Sequence, residues 1–392
     1  MPGEREYDLV LFGATGFTGG LTADYLAADA PTGLRWALAG RNRAKLEAVA
    51  ARLAATTPEA APPALLVADA ADAAALAKIA AQARVVITTV GPYALYGAPL
   101  VAACAAAGTD YVDLTGEPEF VDRMYLEHHA EAERTGARLV HCCGFDSVPH
   151  DLGAYFAVQQ LPEGVPLKVD GYVRTNARFS GGTYHSAVNG FARGRQTLDA
   201  ARRRKAAEPR PVGRAIHSSP ARIRHDEALG GWTVPLPTID GAIIRRSAAA
   251  VDRYGPDFTY GHHLVARHLA TVAGIAAGVG AVAVLAPIPP ARKLLLKAKS
   301  PGEGPDEATR AGSWFKIRFV GEGGGRRVVT EVSGGDPGYS ETSKILAECG
   351  LCLAFDDLPE RAGQLTTVAS MGDMLLTRLQ NAGIAFRVLE SA

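Results

Sequence analysis

Asp8-Leu9-Val10-Leu11-Phe12-Gly13-Ala14-Thr15-Gly16-Phe17-Thr18-Gly19 is the stretch on which the fold turns. Leu9 to Phe12 is a short apolar run, as expected of a strand buried on both faces of a parallel sheet. A Gly-x-x-Gly-x-x-Gly follows at once, and Leu21 to Ala28 reads as a helix. Glycines between a strand and a helix meet the demands of a phosphate-binding turn. Gly13 allows the tight turn, Gly16 lets backbone approach a pyrophosphate, and Gly19 lets the helix pack close to the strand. Ala14, Thr15, Phe17 and Thr18 complete the loop, and the N–H groups and dipole of the helix start would face the phosphates. A plain tight turn has the same pattern, so its surroundings must decide.

A second strand, Arg35 to Ala39, ends about twenty residues on, where an acidic side chain would hold the ribose 2′-hydroxyl of NAD. The sequence there is Gly40-Arg41-Asn42-Arg43, with no acid. A guanidinium suits a dianionic 2′-phosphate that a carboxylate would repel, so Arg41 predicts NADP(H). Asn42, Arg43 and Lys45 are second contacts or the solvated start of a helix. Asp69, at the end of a third strand over Ala64 to Ala68, is placed at the adenine pocket. Arg84 to Val90 is a fourth strand that breaks at Gly91-Pro92-Tyr93, so Val90 to Tyr93 should border the nicotinamide. Tyr111 to Asp113 and Ala137 to Cys142 supply a fifth and a sixth strand, with helices between. The pattern predicts an α/β chain with an N-terminal doubly wound Rossmann sheet.

Five motifs in order resemble the saccharopine dehydrogenase-like oxidoreductases, in particular the trans-acting enoyl reductases: Gly13 to Gly19, Ala39-Gly40-Arg41, Val90 to Tyr93 with Tyr96-Gly97, Tyr111 to Glu117, and Gly144 to Pro149. Thr366 to Gly383 is similar to the family's C-terminal helix, so the resemblance spans nearly the whole chain. It implies a Rossmann domain over 1–148, a substrate domain over 149–358, and a C-terminal helix and tail over 359–392 that returns to the first domain. It also implies NADP(H) and the reduction of a carbon–carbon double bond in a lipid-like or polyketide substrate, carried by another protein or free. An imine or carbonyl reductase of the saccharopine type, and a non-catalytic dinucleotide-binding, lipid-associated protein, stand as alternatives. The fingerprint opens Gly-Ala-Thr-Gly rather than Gly-x-Gly, which favours the lipid branch.

Tyr93 is the candidate to protonate the product or polarise its oxygen, or else its ring only walls the pocket. Asp146 and Ser147, just past the sixth strand, are candidates for orienting substrate or nicotinamide, against turn chemistry as the plain reading. Asp113 and Glu117 flank Gly116 in a similar loop, one to set the loop and one to contact substrate; Asp151 is placed as the cap of the following helix and His150 as a surface or capping residue. No His/Cys/Asp/Glu group has metal-ligand spacing, and Cys349-x-x-Cys352 lies among apolar residues without a second ligand pair, so no metal is expected.

Lys+Arg and Asp+Glu both number 41, so no global field draws the chain to nucleic acid. Five cysteines make no disulfide framework, and the charged first residues do not resemble a secretory signal, which predicts a cytoplasmic protein, peripheral to a membrane at most. In the second half, Val165 to Arg174 and the pair Trp314 to Val320 and Arg327 to Val332 read as strands. Ser180 to Thr183 resembles a family loop at the substrate cleft. Residues 193–224 carry ten Lys/Arg against two Asp/Glu, a solvated face or a docking patch for an acidic carrier protein or anionic lipid. Leu269 to Ala291 holds no charge and is rich in Ala and Gly, with Arg292, Lys293, Lys297 and Lys299 beyond it. It is read as a helix that dips into a membrane or lines a lipid tunnel, or as an interior helix, or as a span. A homodimer is compatible with all of this.

Overall fold

Apolar runs too short for helices become the strands of a parallel sheet. In the computed structural model, which describes residues 5–177, 181–297 and 304–391, these strands are β1 (Tyr7–Phe12), β2 (Trp36–Gly40), β3 (Ala64–Val67), β4 (Ala83–Thr88), β5 (Asp110–Asp113) and β6 (Arg138–Val140). Ser180 and Lys299 lie outside the described residues, as does the side chain of Thr183. The order across the sheet is β3-β2-β1-β4-β5-β6, all parallel, and it reverses between β1 and β4. This is the Rossmann order, and its switch point is where a dinucleotide lies. Leu9, Val10, Leu11, Val85, Val86 and Ile87 are fully buried, as strands covered on both faces must be.

The second half builds a mixed sheet from β7 (Leu167–Thr175), β8 (Ala215–Ser218), β9 (Arg224–Asp226), β10 (Gly231–Pro235), β11 (Asp257–Ala266), β12 (Phe315–Gly323) and β13 (Arg326–Gly334). β12 and β13 form the expected hairpin, and β7 lies antiparallel to β12 and parallel to β11. Two further strands come from the C-terminal region. β14 (Gly363–Leu365) adds a seventh strand to the Rossmann sheet beside β6, and β15 (Ala385–Ser391) closes the second sheet beside β13. Sequence reading sees neither, because three residues carry no period and the last segment alternates weakly. The expected helix over Thr366 to Gly383 is two helices, Thr367–Ser370 and Gly372–Asn381. The second packs on helix Ser340–Phe355, which lies against β1, β4 and β5 and carries both Cys349 and Cys352 as buried free thiols.

Helix Val148–Gln159 joins the two sheets: it leaves β6 and lies on β7, β12 and β13. Gly153 makes that approach possible, since a Cβ there would stand 2.3 Å from the Phe319 ring. Asp151 is not the cap of this helix, a place taken by Ser147, but a fully buried tie inside it. Its Oδ2 accepts from the Ser247 and Thr367 hydroxyls at 2.9 and 2.8 Å and from the Val368 N–H at 3.1 Å. Replacing it by alanine strands three buried donors. Asp151→Ala should therefore cost about 2–4 kcal/mol in a denaturant titration, and Asp151→Asn, which keeps an acceptor, clearly less.

Candidate active site

The glycine loop is built around positions where a side chain cannot go. Gly13 has φ +95°, and a Cβ on Gly19 would stand 2.2 Å from the Gly13 carbonyl oxygen. Helix Phe17–Asp29 therefore starts hard against the end of β1, and no side chain caps it. Thr15 and Gly16 are exposed at this start, while Ala14 is buried. The arrangement fits a pyrophosphate on free N–H groups at a helix start. Phe17 turns away from such a ligand: its ring meets Tyr339 edge-on at 4.9 Å and lies under the Arg310 guanidinium. The Thr18 carbonyl accepts hydrogen bonds from the Thr22 and Ser343 hydroxyls.

At the end of β2, Arg41 is exposed and has no side-chain partner among the described residues. Asn42 caps the next helix by accepting from the Lys45 N–H at 3.0 Å, which gives it a structural task. Arg43 pairs with Glu47 along its own helix, whereas Lys45 is exposed beside Arg41. Asp69 closes a turn by accepting from the Ala71 N–H, at the end of β3. Thus Arg41, with Lys45, is the cation available for a 2′-phosphate, and the residues present fit NADP(H).

At the carboxyl edge of β4 to β6 the candidates part company. Val90 is half-buried and Gly91 exposed, and Gly91–Pro92 is a cis peptide bond. Tyr93 is buried, its hydroxyl donating to the Thr88 carbonyl at 3.1 Å and accepting from the Leu114 N–H at 3.2 Å. Burial, with the Asp113 charge, pushes that phenol well above its ordinary value. Its proton is committed inside the protein, so the structure favours a wall rather than a proton donor. Ser147 is also fully buried, against Cys142. Asp113 binds the Thr115 and Cys142 N–H groups, the Tyr111 hydroxyl and His141 Nδ1, the last at 2.6 Å. Glu117 accepts from the Tyr93 and Ala94 N–H groups and from the Ser186 hydroxyl. Both acids shape loops.

Asp146 differs. It is half-buried, lies against Gly116 and makes no hydrogen bond among the described residues. Burial, and next the Asp240 charge, push its carboxyl up to about 7. His150, expected at the surface or as a cap, is buried and brought together with Asp240 and His262. Burial pushes His150 down to about 4. Burial opposes the charge on Asp240 as well, but the two imidazoles outweigh it and hold that carboxyl low. Spacing alone shows no such group, because Asp240 and His262 lie about ninety and a hundred and ten residues from His150 and meet it only through the second sheet.

Residues 9–140 match the saccharopine dehydrogenase NADP-binding domain. The chain is 39% identical to a putative trans-acting enoyl reductase of Mycobacterium tuberculosis, with 99% of each chain covered. It is 37% identical to a trans-acting enoyl reductase of Mycobacterium ulcerans over 97% of each. The chain belongs to the trans-acting enoyl reductase family. These are NADP-dependent oxidoreductases with a saccharopine dehydrogenase-like fold. A solved saccharopine dehydrogenase (L-Glu forming) from Saccharomyces cerevisiae shares that fold at a TM-score of 0.56 and 13% identity, over 98% of this chain and 99% of the other.

In this family member the assignment of the 2′-phosphate to Arg41 has a direct test. By calorimetric titration, Arg41→Ala should weaken NADPH binding by about 1.5–3 kcal/mol, roughly ten- to a hundredfold, and leave NADH binding unchanged.

Proposed function

We propose that this family member uses NADPH to reduce the carbon–carbon double bond of an apolar, lipid-like acyl substrate that it meets at a membrane surface. One observation carries the reading. Helix Leu269–Leu285 holds no charged residue, yet Val272 is its one buried residue, and Ile275, Val279 and Val284 are 43, 48 and 68% exposed. Such exposure speaks for the interfacial reading over a helix buried in this chain. No helix among the described residues is long and apolar enough to cross a membrane. An uncharged helix exposed on nearly every side, followed by amphipathic helix Pro289–Lys297 with Arg292, Lys293 and Lys297, has the chemistry of an interfacial anchor on anionic lipid.

The anchor also adjoins the cleft. It packs on helix Gly181–Ala192, whose Tyr184 hydroxyl donates to the Leu295 carbonyl and whose Ser186 donates to Glu117 at the carboxyl edge. Farther along, a Cβ on Gly304 would meet the Phe17 ring of the glycine loop at 2.2 Å. Substrate drawn from lipid would thus enter beside the dinucleotide site. The basic segment supports a carrier-bound form of the same substrate: Arg193, Arg204 and Arg214 are committed to internal partners, but Arg195, Arg202, Arg203 and Lys205 are exposed.

NADPH, when bound, supplies the hydride for the β-carbon. Asp146 is the group in this chain suited to deliver the proton to the α-carbon, because its half-buried carboxyl is unbonded and retains a proton in part at neutral pH. Half-buried Pro92 and buried Tyr93 would wall that side of the site.

Two measurements test this. With an enoyl thioester and NADPH, Asp146→Asn should lower kcat by about 10²-fold or more while the NADPH Kd stays the same; unchanged kcat would remove Asp146 from the chemistry. In vesicle flotation with phosphatidylserine, the wild-type chain should rise with the lipid. Val279→Glu with Val284→Glu should lose about tenfold or more in partitioning, and wild-type protein left at the bottom would sink the membrane reading.

A further inference from the structure

The structure brings together three side chains that take no direct part in the reduction described above, although the Asp240 charge helps to raise the Asp146 carboxyl. His150 comes from the first turn of helix Val148–Gln159, Asp240 from the first turn of helix Asp240–Ala250, and His262 from the middle of β11. All three are at least nine-tenths buried. Their nearest nitrogen and oxygen atoms lie within 4.8 Å of one another. His150 Nε2 stands 3.8 Å from Asp240 Oδ1, and His262 Nε2 stands 3.5 Å from Asp240 Oδ2. Both separations exceed a normal hydrogen bond. Asp240 Oδ1 and His262 Nε2 are buried with no hydrogen-bond partner among the described residues. Buried polar atoms that converge and yet do not bond to each other lack a partner that ought to be there.

We infer that His150, Asp240 and His262 form a binding site for a single zinc-type divalent cation. The chemistry of the donors supports it: two imidazole nitrogens and one carboxylate oxygen are a recurrent three-ligand zinc set that leaves a fourth position for water or a substrate oxygen. The distances leave room for a cation: zinc with bonds of about 2.0–2.1 Å holds neighbouring ligand atoms about 3.4 Å apart, and each imidazole Nε2 stands 3.8 or 3.5 Å from one of the two oxygens of the Asp240 carboxylate. The ring planes of His150 and His262 cross at 84° with centroids 5.0 Å apart, so the rings converge without stacking. Outer contacts orient the set. Tyr260 Oη lies 3.0 Å from His262 Nδ1, which leaves Nε2 of that ring to point inward, and the Thr238 hydroxyl donates to Asp240 Oδ2. Metal-bound histidines are commonly held this way through their second nitrogen. A cation here would fasten the helix that leaves the Rossmann sheet to a strand of the second sheet, at the edge where Asp146 lies.

The test uses the untagged full-length chain, stripped with a chelator, given zinc sulfate and passed through gel filtration. Elemental analysis should find about one zinc per chain. Loading with cobalt(II) instead should give the visible absorption bands of a four-coordinate ion, and zinc should raise Tm by stabilising the folded state alone. Asp240→Asn and His262→Gln should each abolish the zinc stoichiometry and the cobalt bands. NADPH titration, which reads the glycine loop and Arg41 and none of these three residues, should be unchanged in both and so shows that the variants are folded. Substoichiometric zinc in the wild type, or equal zinc in wild type and variants, overturns the site.

Discussion

One buried carboxylate, Asp151, draws together three parts of the chain far apart in sequence. A charge taken out of water is tolerable only where donors replace the lost hydration. Here Ser247 from the second domain and Thr367 and Val368 from the C-terminal region supply them. Because Asp151 sits in the helix that leaves β6 and covers the second sheet, satisfying it sets how the two sheets meet. Burial raises the Asp151 carboxyl to about 6 even so, a sign that the three donors only partly offset the lost hydration.

The carboxyl edge of the Rossmann sheet is ordered by the same logic. Asp113 gathers four donors or partners from β5 and the segment after β6, and Glu117 fastens the start of the turn at Tyr93 to helix Gly181–Ala192. Acids that are fully bonded are poor proton donors, which separates Asp113 and Glu117 from Asp146. Tyr93 falls on the structural side for the same reason, its hydroxyl engaged both as donor and as acceptor. A polar site within a rigid frame, beside an apolar approach, suits chemistry in which the dinucleotide does the difficult work.

The second sheet gives the molecule its outward features. Its helix Leu269–Leu285 leaves apolar side chains exposed, and basic residues lie in the helix that follows it. Beyond it, Gly304 and Arg310 lie against Phe17 of the glycine loop.

Sequence alone was enough for the Rossmann order of the first six strands, the glycine loop, the arginine exposed at the end of β2 and the β12–β13 hairpin. All of these rest on local signals: short apolar runs, glycines where a Cβ cannot fit, and a charge at a fixed spacing from a strand. Tertiary structure alone decided the rest. β14 and β15 exist because a partner strand receives them, and no local period marks them. Asp146 is distinguished from Asp113 and Glu117 only by what surrounds each carboxylate. The exposure of the apolar helix depends on what does not pack against it, and residues 150, 240 and 262 meet only when two sheets close on one another. Backbone preference is written in neighbours along the chain, but burial, hydrogen-bond satisfaction and convergence of side chains depend on neighbours in space.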